Sequence, residues 1–571
     1  MKKRALKKLI SAGLVSAMTL SMLTGCGSDS GTQSAAESGA AETSAAGNSG
    51  QAAADGDSYF NKEGYPICDE TITVAVAGTY DGGKDWNETT MVQEIEKRFG
   101  IKLDCTVYEQ EEWPTQLSLM MASDELPDLI IHASISQTDA NSYGEEGYFL
   151  PINEYLEYMP NLTAVMEEYP QYKAVITAPD GNIYGLPRLE AGDGVDVGLA
   201  NRQWIKQTWL DNLGLDYPET VEDFYNVLKA FKEEDANGNG DPDDEIPTGN
   251  CVVAVQSAFG IFSTSGNTIL QVDDEGQVYL ADIIENYRAF LEFMNRLYEE
   301  GLMDQEAFTN TFDEVSAKVS ADTLGCFAFG VPYVVANSDI SFDSTCAWFG
   351  GLTSEYNPVS TSVVNNYINT GSVRVLINAD TEYPEALARL VDFFYTDEGA
   401  AVAIDGFEGI DWNYEKVDGI SFDYEIRERV CPEGYSSSEE YRYKKAIANE
   451  AFNVYGVGKG YQYELMDKAT DEDLDALLDS YGWLVLVEKA HRDVDQVVET
   501  FPPLVYTAEE AEERSTIYTD ISSYLGSMRT RFITGELDID SEWESHVETV
   551  KNMGLDRMLE IDQAAYDRMY K

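Results

Sequence analysis

The strongest constraint on the fold is an alternation of strand and helix patterns that begins at residue 71. Strand patterns are runs of β-branched and apolar residues, such as T-I-T-V-A-V-A at 71–77. The helix pattern at 88–99 places its apolar residues on one face and ends at Gly100. This alternation predicts an α/β fold with a parallel sheet, in which ligands bind at the loops after the strands. The predicted strands are 71–77, 101–108 and 128–131, the predicted helices are 88–99 and 113–121, and the loops are 79–81, 109–112 and 132–136.

Amphipathic helix patterns continue along the rest of the chain. They cover 219–232 and 384–395, and the last third of the chain is rich in them. We interpret their apolar stripes as core-facing surfaces and not as cofactor contacts. The clearest C-terminal stripe, with a spacing of three to four residues, is Ile517, Ile521, Tyr524, Met528 and Phe532.

Composition is that of a large, acidic, globular protein. With 571 residues the chain can bury at least two cores, and 43% apolar residues exclude a mostly disordered chain. The 103 acidic residues outnumber the 38 basic ones, which gives a net charge of −65. Nucleic-acid binding and polybasic membrane binding both need basic surface, so we exclude these functions.

The N-terminus predicts export and lipid anchoring. Basic residues in the first eight positions precede an uncharged run at 9–23 that is too short to span a bilayer. The run ends in L-T-G-C at 23–26, which resembles a bacterial lipobox. Residues 1–25 are therefore predicted to be a lipoprotein signal peptide and Cys26 to carry the lipid, although an ordinary secretory signal is the alternative. Residues 27–57 lack Val, Ile, Leu, Met and aromatic residues, so we expect 26–58 to form a flexible tether.

The other cysteines and the histidines give no metal-binding spacing. Six further cysteines stand at 68, 105, 251, 326, 346 and 431, without a C-x-x-C motif. They could form up to three disulfides, but we favour free, mostly buried thiols. The three histidines, at 132, 491 and 546, lie far apart in sequence, and we interpret them as packing or surface residues.

One acidic loop has the oxygen-ligand pattern of a calcium site. Residues 235–247 read D-A-N-G-N-G-D-P-D-D-E-I-P, and alternating oxygen-bearing side chains can point into one bent loop. Hard oxygen ligands at these spacings favour Ca²⁺ over Zn²⁺, and Ile246 at position 12 excludes a standard EF-hand. We predict a structural Ca²⁺ site, with a plain polar turn as the alternative. The predicted ligands are Asp235, Asn237, Asn239, Asp241 through its carbonyl, Asp244 and Glu245.

Residues 205–247 carry the most specific resemblance to a known family. The W-L-D-N-L-G run at 209–214, the following amphipathic helix and the acidic loop ending in D-E-I-P are similar to extracellular solute-binding lipoproteins of the family-1, LplA-like type. These are the carbohydrate receptors of ABC importers. The loop here has one residue more before D-E-I-P than the family pattern, so the choice between Asp243 and Asp244 as a ligand stays open. Further similar segments are 180–188, 386–400, 406–414 and 532–568, and with the lipobox the resemblance covers nearly the whole mature chain.

The resemblance implies an α/β, two-lobe, periplasmic-binding-protein-like (type II) fold with a helix-rich C-terminal region. Lobe 1 is expected at 59–186 and 371–405, and lobe 2 at 187–370 and 406–571. An oligosaccharide would bind in the cleft between the lobes, and the loaded receptor would dock on the permease subunits of an ABC importer without catalysing a reaction. The resemblance further implies a monomer at the outer face of the bacterial cell membrane, held by the lipid on Cys26.

A sugar-binding cleft should combine aromatic rings, which stack on the C–H faces of a sugar, with polar groups that bind its hydroxyls. Trp348 and Trp412 are the favoured stacking residues, with core packing as the alternative for each. Few basic residues lie near the expected cleft, which favours a neutral sugar. The candidate substrate-binding residues are Tyr80, Asp81, Trp86, Glu111, Trp113, Arg188, Trp348, Glu408, Asp411 and Trp412.

Two other functions compete with an oligosaccharide receptor. A receptor for peptides or other small solutes on the same fold is the nearest alternative. A secreted glycoside hydrolase would need a pair of carboxylates about 5 to 10 Å apart, and no motif nominates such a pair. The sequence also lacks the G-x-S-x-G, H-E-x-x-H and Walker motifs of other enzymes.

Overall fold

The strands of this protein form a five-stranded sheet, a three-stranded sheet and three two-stranded pairs. They are seen in a computed structural model that describes residues 59–80, 84–190, 202–263, 268–364, 368–435, 437–448, 451–456 and 462–571. The strands are β1 (Ile72–Thr79), β2 (Ile101–Tyr108), β3 (Leu129–Ile131), β4 (Gly185–Leu189), β5 (Gln203–Lys206), β6 (Leu270–Val272), β7 (Val278–Leu280), β8 (Cys326–Ala328), β9 (Cys346–Trp348), β10 (Thr361–Val364), β11 (Ile368–Ile377), β12 (Trp412–Lys416), β13 (Glu425–Arg429) and β14 (Gln496–Glu499).

Helices surround both larger sheets and dominate the C-terminal third. A short π-helix, Arg442–Ala446, also lies in this part of the chain. The helices are α1 (Thr90–Phe99), α2 (Trp113–Ser123), α3 (Gln137–Glu145), α4 (Pro160–Glu168), α5 (Pro170–Ile176), α6 (Gln207–Leu213), α7 (Val221–Glu233), α8 (Val252–Ser257), α9 (Glu285–Glu299), α10 (Phe312–Ser320), α11 (Pro332–Val335), α12 (Pro384–Phe393), α13 (Asp397–Asp405), α14 (Ser438–Tyr441), α15 (Gln462–Lys468), α16 (Asp471–Tyr481), α17 (Trp483–Asp493), α18 (Ala508–Ile533), α19 (Ile539–Asn552) and α20 (Leu555–Tyr570).

The five-stranded sheet has the order β2-β1-β3-β11-β4. β1 runs parallel to β2 and β3, as the alternation of patterns predicts. β11 is antiparallel to both β3 and β4, so the sheet is mixed. A local sequence pattern cannot reveal this, because β11 joins from a distant part of the chain.

Helix α1 shows how the sequence sets an element boundary. The Thr89 hydroxyl accepts a hydrogen bond from the Val92 N–H at its start, which satisfies one of the unpaired donors of the first turn. Gly100 ends the helix at φ 70°, a left-handed conformation that glycine adopts without strain. A Cβ there would lie 2.0 Å from the Cys68 carbonyl oxygen, so the reversal into β2 requires glycine.

The three-stranded sheet, β8-β5-β9, is antiparallel and belongs to a second core. This core buries Trp209, Phe231 and Phe290 among its large side chains. The predicted helix at 219–232 corresponds to α7, which begins with a reciprocal capping box between Thr220 and Asp223. The chain therefore buries two large cores, one on each sheet.

Two stretches of chain lead from one sheet to the other. The chain leaves the first sheet after β4 to form β5 of the second sheet, and it returns to the first sheet at β11, after β10, which pairs with β14. Later, Tyr441, Ile447, Phe452 and Val454 pack into the core of the first sheet. The predicted lobe boundaries stay a prediction.

Most of the cysteines and histidines in the described part of the chain are buried. The six cysteines are free thiols, and all are buried except Cys431, as expected. His491 and His546 are buried as well. Among the described residues, we find no helix with the length and apolar character needed to span a membrane.

Candidate functional site

The loops after β1, β2 and β3 meet at one edge of the first sheet, as predicted. The Tyr80 N–H donates to the Tyr108 carbonyl (2.9 Å), which joins the first two loops. His132 Nδ1 lies 2.7 Å from the Thr79 carbonyl oxygen, so that nitrogen carries the proton. His132 and Ser134 have φ values of 52° and 50°, and such left-handed non-glycine residues concentrate at functional sites. Asp81 lies outside the described residues.

Two tryptophans that the sequence nominates for ligand binding pack into the protein interior instead. Trp86 is completely buried in the core of the first sheet, where its ring leaves no room for a Cβ on Gly78. Trp113 is buried, and its indole N–H donates to the Ala133 carbonyl. This hydrogen bond connects the buried Trp113 side chain to the 132–136 loop and so fixes the position of that loop. Glu111, in the neighbouring loop, is exposed.

The turn before β12 is closed by its own side chains. The Asp411 carboxylate is buried and accepts from the Phe407 N–H (2.9 Å) and the Tyr441 hydroxyl (2.7 Å). Burial raises the pKa of Asp411. The Trp412 ring is buried, and its N–H donates to the Gly406 carbonyl (2.8 Å). Asp411 and Trp412 therefore shape the turn, whereas Glu408 at its tip is exposed.

A buried ion network lies beside this turn. The Asp405 carboxylate is 3.2 Å from Arg427 Nη1, 2.7 Å from Arg429 Nε and 4.0 Å from Arg442 Nε. Glu439 pairs with both Arg429 (2.5 Å) and Arg442 (2.8 Å). The network ties the end of α13 to β13 and to the π-helix. The sequence gives no signal for it, because its members are scattered between Asp405 and Arg442 without a regular spacing.

Arg188, which the sequence nominates for the site, lies on β4 of the first sheet. Its guanidinium binds Glu190 through two nitrogens, with Nε to Oε1 at 2.5 Å and Nη2 to Oε2 at 2.8 Å. This fork-like geometry fixes the plane of the guanidinium. Arg188 is therefore held where the chain leaves the first sheet.

A cavity of about 670 Å³, here called the Tyr217 cavity, lies beside Trp348 on the second sheet. Its walls are β9, the 217–220 loop, the Gly350–Gly351 turn and the C-terminal half of α17. Trp348 is only 5% exposed, whereas Tyr217 is 37% exposed. None of the described residues that line the cavity belongs to the first sheet. The structure thus places one predicted stacking residue at a cavity, apart from the loops of the first sheet.

The acidic loop at 235–245 folds around its own polar side chains. The Asp244 carboxylate accepts from the side-chain amides of Asn237 (3.0 Å) and Asn239 (2.8 Å). Glu245 Oε1 accepts from the backbone N–H groups of residues 236 and 237. Asp243, in contrast, is exposed. The bend turns Asp244, rather than Asp243, toward the two asparagines.

Two oxygens of this loop fit a bound cation. Asp235 Oδ1 and Glu245 Oε2 are buried and accept no hydrogen bond from any described residue. Burial also raises the pKa of Glu245. A cation bound at Glu245 Oε2 would lower this pKa again, because it stabilises the carboxylate form. No three His, Cys, Asp or Glu side chains of the described chain converge in a metal-binding arrangement. A cation here would therefore need asparagine and carbonyl oxygens in addition to carboxylates.

Comparison with known proteins connects this chain to transport receptors. No known protein-family profile matches it. It is 28% identical over 511 residues to the fructooligosaccharide ABC transporter substrate-binding protein FusA of Streptococcus pneumoniae, which covers 87% of this chain and 90% of FusA. It is also 26% identical over 351 residues to lipoprotein LipO of Bacillus subtilis, over 58% of this chain and 66% of LipO.

Solved structures of such proteins share the fold. FusA in complex with kestose superimposes with a TM-score of 0.64 and 26% identity, over 87% of this chain and 99% of FusA. An EF-hand mutant of FusA, solved with fructo-nystose, has the same TM-score. An HMO-binding, ABC-transporter-associated solute-binding protein from Bifidobacterium longum infantis matches the fold with a TM-score of 0.67 and 20% identity, over 88% of this chain and 100% of that one. The predicted two-lobe fold and the resemblance to ABC-transporter receptors are confirmed.

Proposed function

We propose that this relative of the ABC-transporter substrate-binding proteins is the extracytoplasmic receptor of a carbohydrate importer. It binds a neutral oligosaccharide between its two lobes and delivers it to the permease subunits of the transporter. The observation that carries this proposal is the similarity to FusA, which extends over 511 residues and over both sheets. In this role the chain catalyses no reaction, because binding and release suffice for import.

Ligand capture would use closure of the lobes. Lobe 1, at 59–186 and 371–405, contains most of the first sheet, and lobe 2, at 187–370 and 406–571, contains the second. A ligand that contacts both lobes favours the closed state by its greater affinity for that state.

Polar side chains that the sequence nominates would bind sugar hydroxyls. We assign this role to Tyr80, Asp81, Glu111, Arg188 and Glu408. The Tyr217 cavity, which lies beside the buried Trp348, would supply apolar surface on lobe 2. Trp86, Trp113, Asp411 and Trp412 would support the loops from inside, since they are buried.

Cys26 would anchor the receptor to the outer face of the cell membrane. The lipobox-like sequence at 23–26 supports cleavage after residue 25 and lipidation of Cys26, and the relative LipO bears the name of a lipoprotein. Two acyl chains on one cysteine give durable membrane binding, whereas a single chain does not. Residues 26–58 would then be a tether that lets a monomeric receptor reach the permease.

A panel of ligands tests the receptor function. We expect a neutral oligosaccharide, with kestose as the first probe, to raise the thermal unfolding midpoint of the protein lacking residues 1–26 by several degrees. At 100 times its Kd a ligand adds about 2.7 kcal/mol to the unfolding free energy. Chromatography of the sugar after incubation should recover it intact. Stabilisation by peptides alone would indicate the alternative solute class, and hydrolysis of the sugar would indicate a glycoside hydrolase.

The acidic loop would hold a structural Ca²⁺ through Asp235, Asn237, Asn239, the Asp241 carbonyl, Asp244 and Glu245. Removing Ca²⁺ with EDTA should lower the unfolding midpoint, because the ion binds the folded loop only. Asp244→Asn should weaken Ca²⁺ binding by about tenfold or more, since it removes a charged ligand. Asp243→Asn is the matched control and should bind Ca²⁺ like the wild type. Isothermal titration with Ca²⁺ distinguishes the two, and equal affinities for both variants would contradict the assignment of Asp244.

A further inference from the structure

The Tyr217 cavity has the size and the lining of a small-ligand site. Its volume of about 670 Å³ falls within the range of about 300–1,000 Å³ typical of such sites. Leu486 and Val494 give it apolar surface, and Thr353 and Ser360 add hydroxyl groups. This mixture suits a molecule that has both C–H faces and hydroxyls.

Tyr217 provides the aromatic surface of the cavity. Its hydroxyl donates to the Trp348 carbonyl (3.0 Å) and accepts from the Gly350 N–H (3.1 Å). These bonds fix the ring while 37% of the residue stays exposed. Trp348 is covered, since a Cβ on Gly350 would lie 2.3 Å from its ring. The accessible stacking surface is therefore Tyr217, which Trp348 supports through its backbone.

The floor of the cavity is narrow and fixed. Gly351 has a φ of 69°, and a Cβ there would lie 2.8 Å from Ser360 Oγ and 3.0 Å from Val494 Cγ1. Any larger residue would intrude into this space. The Ser360 carbonyl accepts the N–H groups of both Asp495 and Gln496 (3.1 Å each), which holds the Asp495 backbone at the rim.

Hydrogen-bond acceptors dominate the rim. Glu219, Asp493 and Asp495 are exposed carboxylates, and no described basic side chain forms an ion pair with them. The lining also contains Lys489, but its ammonium group is paired with Asp475. Helix α17 ends at Asp493, so its last carbonyl groups add negative partial charge. The rim therefore favours hydroxyl donors and repels carboxylates.

We propose that the Tyr217 cavity binds one ring of a neutral oligosaccharide and excludes uronic-acid sugars. The ring stacks on Tyr217, and its hydroxyls donate to Asp493 and Asp495. These three residues determine which class of sugar the receptor accepts. The inference deepens the proposed function and rests on it.

A double substitution that preserves shape tests this assignment. Asp493→Asn combined with Asp495→Asn removes both charges, and we expect the Kd for kestose, or for the neutral oligosaccharide that binds best, to rise at least tenfold. Hydrogen bonds to charged acceptors are about twice as strong as those to neutral ones, which accounts for this loss. Asp520→Asn, at an exposed position on α18, is the matched control and should leave the Kd unchanged. Digalacturonic acid should not bind the wild-type protein.

The first two outcomes below test the cavity assignment separately from the receptor function. If the double variant binds the neutral sugar as tightly as the wild type, the assignment of the cavity is overturned and the receptor function stands. If the wild type prefers digalacturonic acid, the charge selectivity is overturned. If no oligosaccharide binds the wild type, both proposals fail together. Tyr217→Leu is the second variant should the first fail to fold, and it should also raise the Kd at least tenfold.

Discussion

Replacing Asp405 by asparagine should lower the free energy of unfolding by about 3–5 kcal/mol, the usual cost of removing one partner of a buried ion pair. The Asp405 and Arg427 side chains are each 1% exposed, and Arg442 is 5% exposed. Asparagine keeps the shape of the side chain but leaves buried guanidinium groups without their central carboxylate. The cost comes mostly from the buried positive charge of Arg427, which loses Asp405, whereas Arg429 and Arg442 still pair with Glu439.

The surface pair of Lys416 and Asp423 provides the control. Its charged atoms are only 2.6 Å apart, but the side chains are 64% and 84% exposed. Asp423→Asn should therefore cost no more than about 1 kcal/mol. Urea unfolding of both variants measures the difference. Equal losses for Asp405→Asn and Asp423→Asn would show that burial does not control the strength of this network.

Local sequence patterns predicted the elements of the first sheet because each carries its own periodicity. The predicted strand at 101–108 matches β2 at both ends, and the predicted helix at 384–395 starts with α12 at Pro384. The antiparallel strand β11 escaped prediction, because its pairing with β3 spans more than 200 residues. The helix predicted at 88–99 starts two residues later in the structure, at Thr90, since Trp86–Glu88 forms a 3-10 turn capped by Asp85.

The candidate site was harder to predict than the fold, because sequence position does not give side-chain direction. Trp86 and Trp113 follow strand ends, as ligand-binding residues often do, yet both turn inward. Tyr217 was missed because no motif marks it. Its role depends on Gly350, 133 residues further along the chain. The acidic loop was recognisable, since its oxygen-bearing residues are local and regularly spaced.

The two buried histidines contribute stability that is lost as the pH falls from about 6.5 to 4. Desolvation lowers the pKa of both His491 and His546 to about 4, below the ordinary value of 6.5. Between these values the unfolded chain binds more protons than the folded one. The stabilising contribution is therefore complete above pH 6.5 and is lost as the pH falls through this range, at up to about 3 kcal/mol for each histidine.

Three buried aspartates act in the opposite direction. Desolvation raises the pKa values of Asp282, Asp343 and Asp392 to about 6. Their protonated forms favour the folded state, so their contribution is complete below about pH 4 and is lost as the pH rises through 6. The pH dependence of the wild-type unfolding free energy therefore contains both contributions. The histidine contribution is obtained by comparing the unfolding free energies of the wild type and a histidine variant at the same pH.

When the pH is lowered from 7 to 5, we expect the free energy of unfolding of His491→Leu to rise by about 2 kcal/mol relative to that of the wild type. The reason is that the leucine side chain binds no proton in the unfolded state. His546→Leu should gain a similar amount, since its imidazole is buried among Tyr524, Phe532 and Trp543. Urea unfolding at the two pH values gives the difference between wild type and variant directly. The aspartates contribute equally to both proteins, so they cancel. A difference that stays constant between pH 7 and pH 5 would mean that the folded protein accepts the protons, and the depressed pKa values would then be wrong.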